Sequence, residues 1–516
     1  MVKRAVFHLN VVKEVKEMIE MIEMKEVKEK PCNRLEPLEP RWFLTVAPHN
    51  LQADQIHQAE AMTKYPWADG TGESIAIVDT GVDYNHSALG SGFGAGHKVV
   101  NGFDFISGTG DPLPKLLPAL NLPLNHGTVL AGIAASSGYS LNGVDYQGVA
   151  RGASIIACRT GSQASQVVSA LNWIIAHRKQ YNIVAINILG TGAPGYVSQL
   201  RTLANSGVFV NSPSYDVFNS AVPINVDPAG VSPYLYFTGA ADSSGALASI
   251  TQRGPYLDFL APGQDIVGPT IDVASNTESI ATLVGTYTSE SSPFATGAAA
   301  DLKAINPSFS PDTIADILRR SGSSVVDGTT GITYHRIDLL AALDSALHLV
   351  TSLPEQVNGP WPKFGEPIVV SPAVTIQAED FDSGGEGIAY HTPTPTDSGP
   401  YVYRHSAVNI IVDRAAQGGY SVSNMNTNAW MAYSIHIPTD GTYQIQSQVS
   451  GYGQFHFEII GKAKTKPIKL SSNSKWSVVN AGNMKLAVGD YVLRMIADKT
   501  TRTGLNADSI SMSKTG

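Results

Sequence analysis

The sequence predicts an α/β chain, a doubly wound parallel sheet, followed by an all-β sandwich. Three observations carry this expectation. Up to about residue 350, short apolar runs bounded by turns alternate with segments of helical period, which is the pattern of buried parallel strands joined by crossover helices. Between Ser352 and Pro372 prolines become frequent (Pro354, Pro360, Pro362, Pro367, Pro372), as in a stiff linker. Beyond it the runs alternate every second residue and are rich in aromatic and β-branched side chains, as antiparallel strands are.

Size and composition agree. The chain has 516 residues, 43% of them hydrophobic and 15% charged, enough for more than one cored domain. A formal net charge of -9 argues against a nucleic-acid backbone as the main partner. Two cysteines, Cys32 and Cys158, build neither a disulfide framework nor a four-cysteine zinc site. No run of about eighteen apolar residues marks a membrane span.

The first 40 residues stand apart. VVKEVKEMIEMIEMKEVKEK sets Val12, Val15, Met18, Ile19 and Ile22 at helical spacing among lysines and glutamates, a solvated amphipathic helix or an unstructured leader. It lacks the apolar core of a secretory signal. LEPLEPRWFL, residues 35–44, resembles a short motif near the start of many exported bacterial proteins. Residues 1–45 are therefore expected to be a leader or export-associated segment.

GESIAIVDTGVDYNHSAL (72–89) holds an apolar run, Ile75 to Val78, ending on Asp79. Side chains at the carboxyl ends of parallel strands are where open α/β sheets place their chemistry. NHGTVLAGIAAS (125–136) reads as a loop entering a small-residue helix with His126 at its start. GVARGASIIACRTG (148–161), IVAINILGTG (183–192) and GVFVNSPS (207–214) read as further strands, and Gln166 to Arg178 as an amphipathic helix. LVGTYTSESSPFATGAAADL (283–302) places Thr288 and Ser289 just ahead of a helix of small residues. There a hydroxyl lies near unpaired amides and the positive end of a helix dipole. Each motif alone has a structural reading: a helix cap for Thr-Ser, a turn former for Asp79, a packing role for His126.

Taken together, in the order Asp, His, Ser, they resemble the three signature regions of the subtilisin-like serine peptidases. GVARGASIIA, VAINILG, the block FTGAADSSGALASITQRGPYLDFLAPGQDI and HRIDLLAALDSA support it. The resemblance implies a peptidase domain over residues 46–350, with Asp79, His126 and Ser289 as the triad. It also implies Leu189 and Gly190 along the substrate cleft, a peptide or protein as substrate, and no cofactor for catalysis. A serine hydroxyl needs a base to take its proton, and the base needs a carboxylate to hold its tautomer. A lone carboxylate base at position 79 is the competing chemistry.

The sequence departs from the family in four places. Asp216 falls where the family has an oxyanion-binding asparagine, with Tyr215 in place of the preceding glycine; Asn211 and Asn219 are the substitutes if the loop is redrawn. Losing one oxyanion donor costs on the order of 10²–10³ in turnover, a figure measured on a subtilisin. Tyr287 replaces a glycine ahead of Thr-Ser and is expected to crowd the serine loop or alter its backbone. CRTGSQASQ (158–166) is a short connection, and the inhibitory propeptide has no clear counterpart before residue 50. An attenuated endopeptidase is therefore expected, against an alternative of a weak or inactive scaffold that binds peptide or carbohydrate.

After the linker (351–372), WMAYSIHIP, GTYQIQSQVS, QFHFEIIG and GDYVLRMIA read as strands separated by glycine and proline turns. VTIQAEDFD, GIAYH, PYVYR, AWMAYSIHIP and GLNADSISM resemble family-six carbohydrate-binding modules, a jelly-roll type of sandwich, over residues 373–516. That resemblance implies polysaccharide as a partner, with Tyr403 and Trp476 as platforms for sugar rings and Asn506 bonding a hydroxyl. It also implies a structural calcium held by Glu379 and Asp508, whose other reading is a pair of edge-strand charges. Trp430 and Tyr433 read as core. Together the two resemblances imply a secreted or cell-surface protein.

Overall fold

The computed structural model describes residues 50–515 except 116–124, 162, 190–193, 217–233, 255, 353–366, 383–386, 394–407, 414, 418 and 471–474. The leader expected over 1–45, Cys32, Gly190, Asn219, Tyr403 and most of the linker lie outside the described residues.

The apolar runs form strands β1 (Ser74–Asp79), β2 (Val99–Asp104), β3 (Ser154–Arg159), β4 (Ile183–Ile188), β5 (Phe209–Pro213), β6 (Tyr236–Ala241) and β7 (Phe259–Pro262). With the hairpin partners β10 (Ser323–Val326) and β11 (Thr333–Arg336), they make one sheet in the order β10-β11-β7-β6-β5-β4-β1-β3-β2. All neighbours are parallel except β10 and β11. Strands β8 (Gln264–Asp272) and β9 (Thr277–Thr286) pair separately as an antiparallel hairpin.

Both faces of the sheet are covered, so β1, β3 and β4 are buried at nearly every position rather than every second one. Ile75, Ile77, Ile155 and Ala157 face one core; Ala76, Val78, Ile156 and Cys158 face the other. Helices α1 (His126–Ala135), α4 (Thr288–Ile305), α5 (Pro311–Ser321) and α6 (Leu339–Ser352) pack with the first set. Helices α2 (Ala164–His177) and α3 (Val197–Asn205) pack with the second. This is the doubly wound parallel arrangement expected from the sequence.

Helix α4 lies deepest. Residues 290–303 are all buried, which its small side chains permit. A methyl group built on Gly297 would stand 2.6 Å from Val149 Cβ and 2.9 Å from the Ala134 carbonyl oxygen, so glycine there sets how closely α4 approaches α1. Pro293 lies inside the helix and offers no amide to the Ser289 carbonyl. The Ser292 hydroxyl lies 3.1 Å from that carbonyl oxygen and 2.8 Å from Asn187 Oδ1, so its one hydrogen is shared between two acceptors.

The C-terminal region is β-rich and mostly antiparallel. It includes β12 (Ala373–Gln377), β13 (Tyr420–Met425), β14 (Trp430–Ile437), β15 (Gly441–Ile459), β16 (Ser477–Leu486) and β17 (Gly489–Lys514). The sequence places a turn between GTYQIQSQVS and QFHFEIIG, but β15 runs through both. Gly451 and Gly453 have φ of 99° and 153° and mark a register shift opposite β17, a bulge in a continuous strand. Strand β17 likewise joins GDYVLRMIA to GLNADSISM and pairs with β15 from Lys514 back to Leu493. Tyr433 is fully buried and donates to the Ala378 carbonyl at 2.9 Å. Trp430 is half-buried, with the Arg494 guanidinium 4.0 Å from its ring centre.

Candidate active site

Three elements bring their ends together. Strand β1 ends on Asp79, helix α1 begins with His126, and helix α4 carries Ser289 in its first turn. His126 Nδ1 stands 3.0 Å from each carboxylate oxygen of Asp79. Both residues are almost fully buried. Asp79 Oδ1 also accepts from the Thr80 amide at 2.6 Å, and the Thr80 hydroxyl accepts from the Gly127 amide at 3.1 Å, so strand end and helix start are laced directly. A methyl group on Gly127 would collide with the Gly81 carbonyl oxygen and come within 3.1 Å of Asp79 Cβ. Glycine after His126 is what lets the helix come this close.

The sequence places Ser289 just ahead of the helix; it is the second residue inside it. Tyr287 precedes the helix in extended backbone, φ -145° and ψ 139°, a conformation open to any residue, so the family's glycine is not needed there. The tyrosine ring turns back over Gly285, where an added methyl group would meet ring atoms at 2.9 Å.

Among the described residues the Ser289 hydroxyl has one hydrogen bond, and it is not to His126. It donates to Glu290 Oε2 at 2.8 Å. Glu290 is 6% exposed. Burial raises its carboxyl above the ordinary range, while His126 and the serine hydroxyl pull the other way. Burial works against a charged imidazole at His126, but the carboxylates of Asp79, Glu290 and Asp216 outweigh it and hold His126 up at about 9.

Asp216 also belongs to this cluster. Its Oδ1 accepts from the Thr288 amide at 2.8 Å, at the start of α4, and its backbone bridges to Thr251. Tyr215 before it has φ 85°. That is the left-handed region where glycine is at ease and a tyrosine is strained. Asn211 is committed elsewhere: its amide donates to the Ser292 carbonyl at 2.7 Å and its oxygen accepts from the Thr238 hydroxyl at 3.1 Å. Leu189 follows β4, its amide bonded to the Val78 carbonyl at 3.1 Å.

Just over half of the chain, residues 70–336, matches the model of the Subtilase family, Peptidase_S8. The chain belongs to this family. Over 225 residues it is 30% identical to the Thermophilic serine proteinase of Bacillus sp. (strain AK1), a match covering 42% of this chain and 51% of that one. It is 27% identical over 268 residues to the Alkaline serine exoprotease A of Vibrio alginolyticus, covering 51% of this chain and 44% of the relative. A solved structure described as proteases from Pseudoalteromonas arctica PAMC 21717 aligns with a TM-score of 0.46 and 20% identity, over 59% of this chain and 96% of that one. The chain spans about half the length, or less, of these curated relatives.

In this subtilase the residue that sequence reasoning passed over is Glu290. The signal was present: a carboxylate directly after the Thr-Ser pair, in a run otherwise small or apolar. What the sequence does not carry is which acceptor the serine hydroxyl turns to.

The remaining expected site residues of the subtilase lie in its β-rich region. Glu379 and Asp508 are buried, at 2% and 0% exposure, and so are not edge-strand charges. Asp508 Oδ1 accepts from the Gln417 amide at 2.9 Å, while its buried Oδ2 has no hydrogen-bond partner among the described residues. Burial, with the negative charge of Asp413, raises the Asp508 carboxyl above its ordinary range. Trp476 donates from its indole to Asp413 Oδ2 at 3.2 Å. Asn506 has its amide in use: it accepts from the Asn424 amide at 2.8 Å and donates to the Ser450 hydroxyl at 3.1 Å.

Proposed function

We propose that this subtilase is a serine endopeptidase. In this reading Ser289 attacks the scissile carbonyl, His126 takes the hydroxyl proton and later returns it to the leaving amine, and Asp79 holds the imidazole. The observation that carries the reading is His126 Nδ1 at 3.0 Å from both Asp79 oxygens, buried beside the helix start that bears Ser289. This chemistry asks for no metal or organic group. Leu189 and Gly190 would line the cleft for a peptide or protein substrate.

Turnover is attenuated for two reasons. Asp216 places a carboxylate where an oxyanion needs a donor, and the nucleophile's hydroxyl is bonded to Glu290. The same bond favours the second reading, a peptide-binding scaffold with little hydrolysis. A fluorophosphonate probe separates them. Labelling that disappears in Ser289→Ala, with peptide hydrolysis above that of the variant, supports the peptidase; equal background rates for both proteins leave only the scaffold.

The C-terminal region is read as a jelly-roll sandwich that binds polysaccharide. Val449 of β15 pairs with Ser477 on one side and Ala507 on the other, so Trp476 and Asn506 flank one stretch of the strand, and Tyr403 would complete the sugar platform. Calcium at Glu379 and Asp508 is supported by the buried Asp508 oxygen that lacks a hydrogen-bond partner among the described residues. Among the described residues no three acidic, histidine or cysteine side chains converge to hold a metal, so main-chain oxygens would have to complete the set. A peptidase joined to such a module would work outside the cell or on its surface. Among the described residues no helix is long and apolar enough to cross a membrane.

A further inference from the structure

We propose that Glu290 restrains the nucleophile: it takes the Ser289 hydroxyl in place of His126 and, by its charge, sets the pH at which the triad works. The inference rests on the serine-peptidase reading and adds to it a residue that none of the expected roles includes.

The geometry has two parts. The hydroxyl hydrogen of Ser289 can be given to one strong acceptor at a time, and it is given to Glu290 Oε2 at 2.8 Å. A charged acceptor makes the stronger bond, so the hydroxyl leaves it for a neutral imidazole only at a cost. The second part is electrostatic. His126 is bonded to Asp79 at the end of β1 and feels the charges of Asp216, from the segment after β5, and Glu290, from α4. Glu290 in turn faces His126, Asp216 and Ser289. Asp79 is the partner that a triad requires. Glu290 and Asp216 are additional negative charges, and both favour an imidazolium, which has no lone pair free to accept a proton.

Glu290 therefore opposes the reaction twice, through the hydroxyl it holds and through the protonation state it imposes. Burial favours the neutral carboxyl, so both effects act in the pH range where Glu290 is ionised; there the buried surroundings screen the bond and the charge less than water does. Removing the charge alone and removing the acceptor as well are separable by substitution. Glu290→Gln keeps an amide oxygen that can accept from Ser289 and loses the charge. Glu290→Ala loses both.

The experiment is the rate of fluorophosphonate labelling of the full chain from pH 6 to pH 10, for the native protein, both variants and Ser289→Ala. We expect the midpoint of the rate–pH profile to fall by about one unit in both variants, so that labelling at neutral pH rises about tenfold. Glu290→Ala should also have a higher plateau at alkaline pH, since its nucleophile has no competing acceptor. Native protein that labels, with variants of unchanged midpoint and plateau, overturns the role of Glu290 and leaves the peptidase reading standing. Variants that lose labelling although Glu290→Gln keeps the native melting temperature also overturn it, because they would make Glu290 a base and not a restraint. If no protein labels faster than Ser289→Ala at any pH, the peptidase reading fails and this inference fails with it.

Discussion

The Thr288 amide donates to Asp216 Oδ1 at 2.8 Å, which ties the start of α4, the helix that bears Ser289, to the residue proposed for the oxyanion position. An asparagine there keeps an oxygen for the Thr288 amide and gains an NH₂ group to donate to the oxyanion. We expect Asp216→Asn to raise kcat on the order of 10²-fold, the lower end of the range for one oxyanion donor. Unchanged kcat on a peptide substrate would mean that Asp216 does not face the reacting carbonyl.

His126 sets a pH window. Its folded value of about 9 lies above the ordinary 6.5, so the neutral imidazole that accepts a proton dominates only above about pH 9. Peptide hydrolysis should climb with pH through that value. The sign for stability is opposite: a raised imidazole stabilises the fold fully below about pH 6.5, and that contribution is lost as pH rises through about 9. Activity that is flat from pH 6 to 10 would contradict the first expectation; a melting temperature that gains over the same interval through His126, judged against His126→Ala, would contradict the second.

Gly127 and Gly297 test close packing at two separate places. Gly297→Ala forces a methyl group against Val149 and the Ala134 carbonyl, and overpacking of this kind costs about 1–3 kcal/mol, read as a lower denaturation midpoint. Gly127→Ala pushes α1 away from Asp79 and Gly81. It should lower kcat more than Gly297→Ala does at equal loss of stability. Equal activity losses at equal stability would show that the approach of α1 to β1 is not what positions the imidazole.

Asp508 provides a test of the calcium site. A buried carboxylate raised above its ordinary range weakens the fold at neutral pH, because the unfolded state ionises more readily. In a chelator, Asp508→Asn should therefore melt at a higher temperature than the native chain. In millimolar calcium the order should reverse, as the native carboxylate gains a ligand that the amide binds less well. A native melting temperature indifferent to calcium would remove the metal from the account.

The sheet was legible in the sequence because its strands are buried on both faces. Ile75 to Val78 cannot be anything exposed, and Ile77 and Val78 serve opposite cores. The meeting of Asp79 with His126 was expected only from the resemblance of the ordered motifs to a known family, because side chains so far apart in the chain meet through the fold and not through spacing. The partner of Ser289 was not legible, because a hydroxyl chooses among neighbours by fractions of an ångström that no spacing encodes. Gly451 and Gly453 were misread for a different reason: a positive φ serves a bulge as well as a turn, and only the strand opposite decides which.

Helix α4 is buried from Glu290 to Lys303, and this has a consequence for how the molecule ages. Its first turn cannot fray into solvent on its own without exposing the interior that every neighbouring layer shares. Heat inactivation and global denaturation should therefore coincide, with no dormant native-like species that has merely mislaid its reactive alcohol.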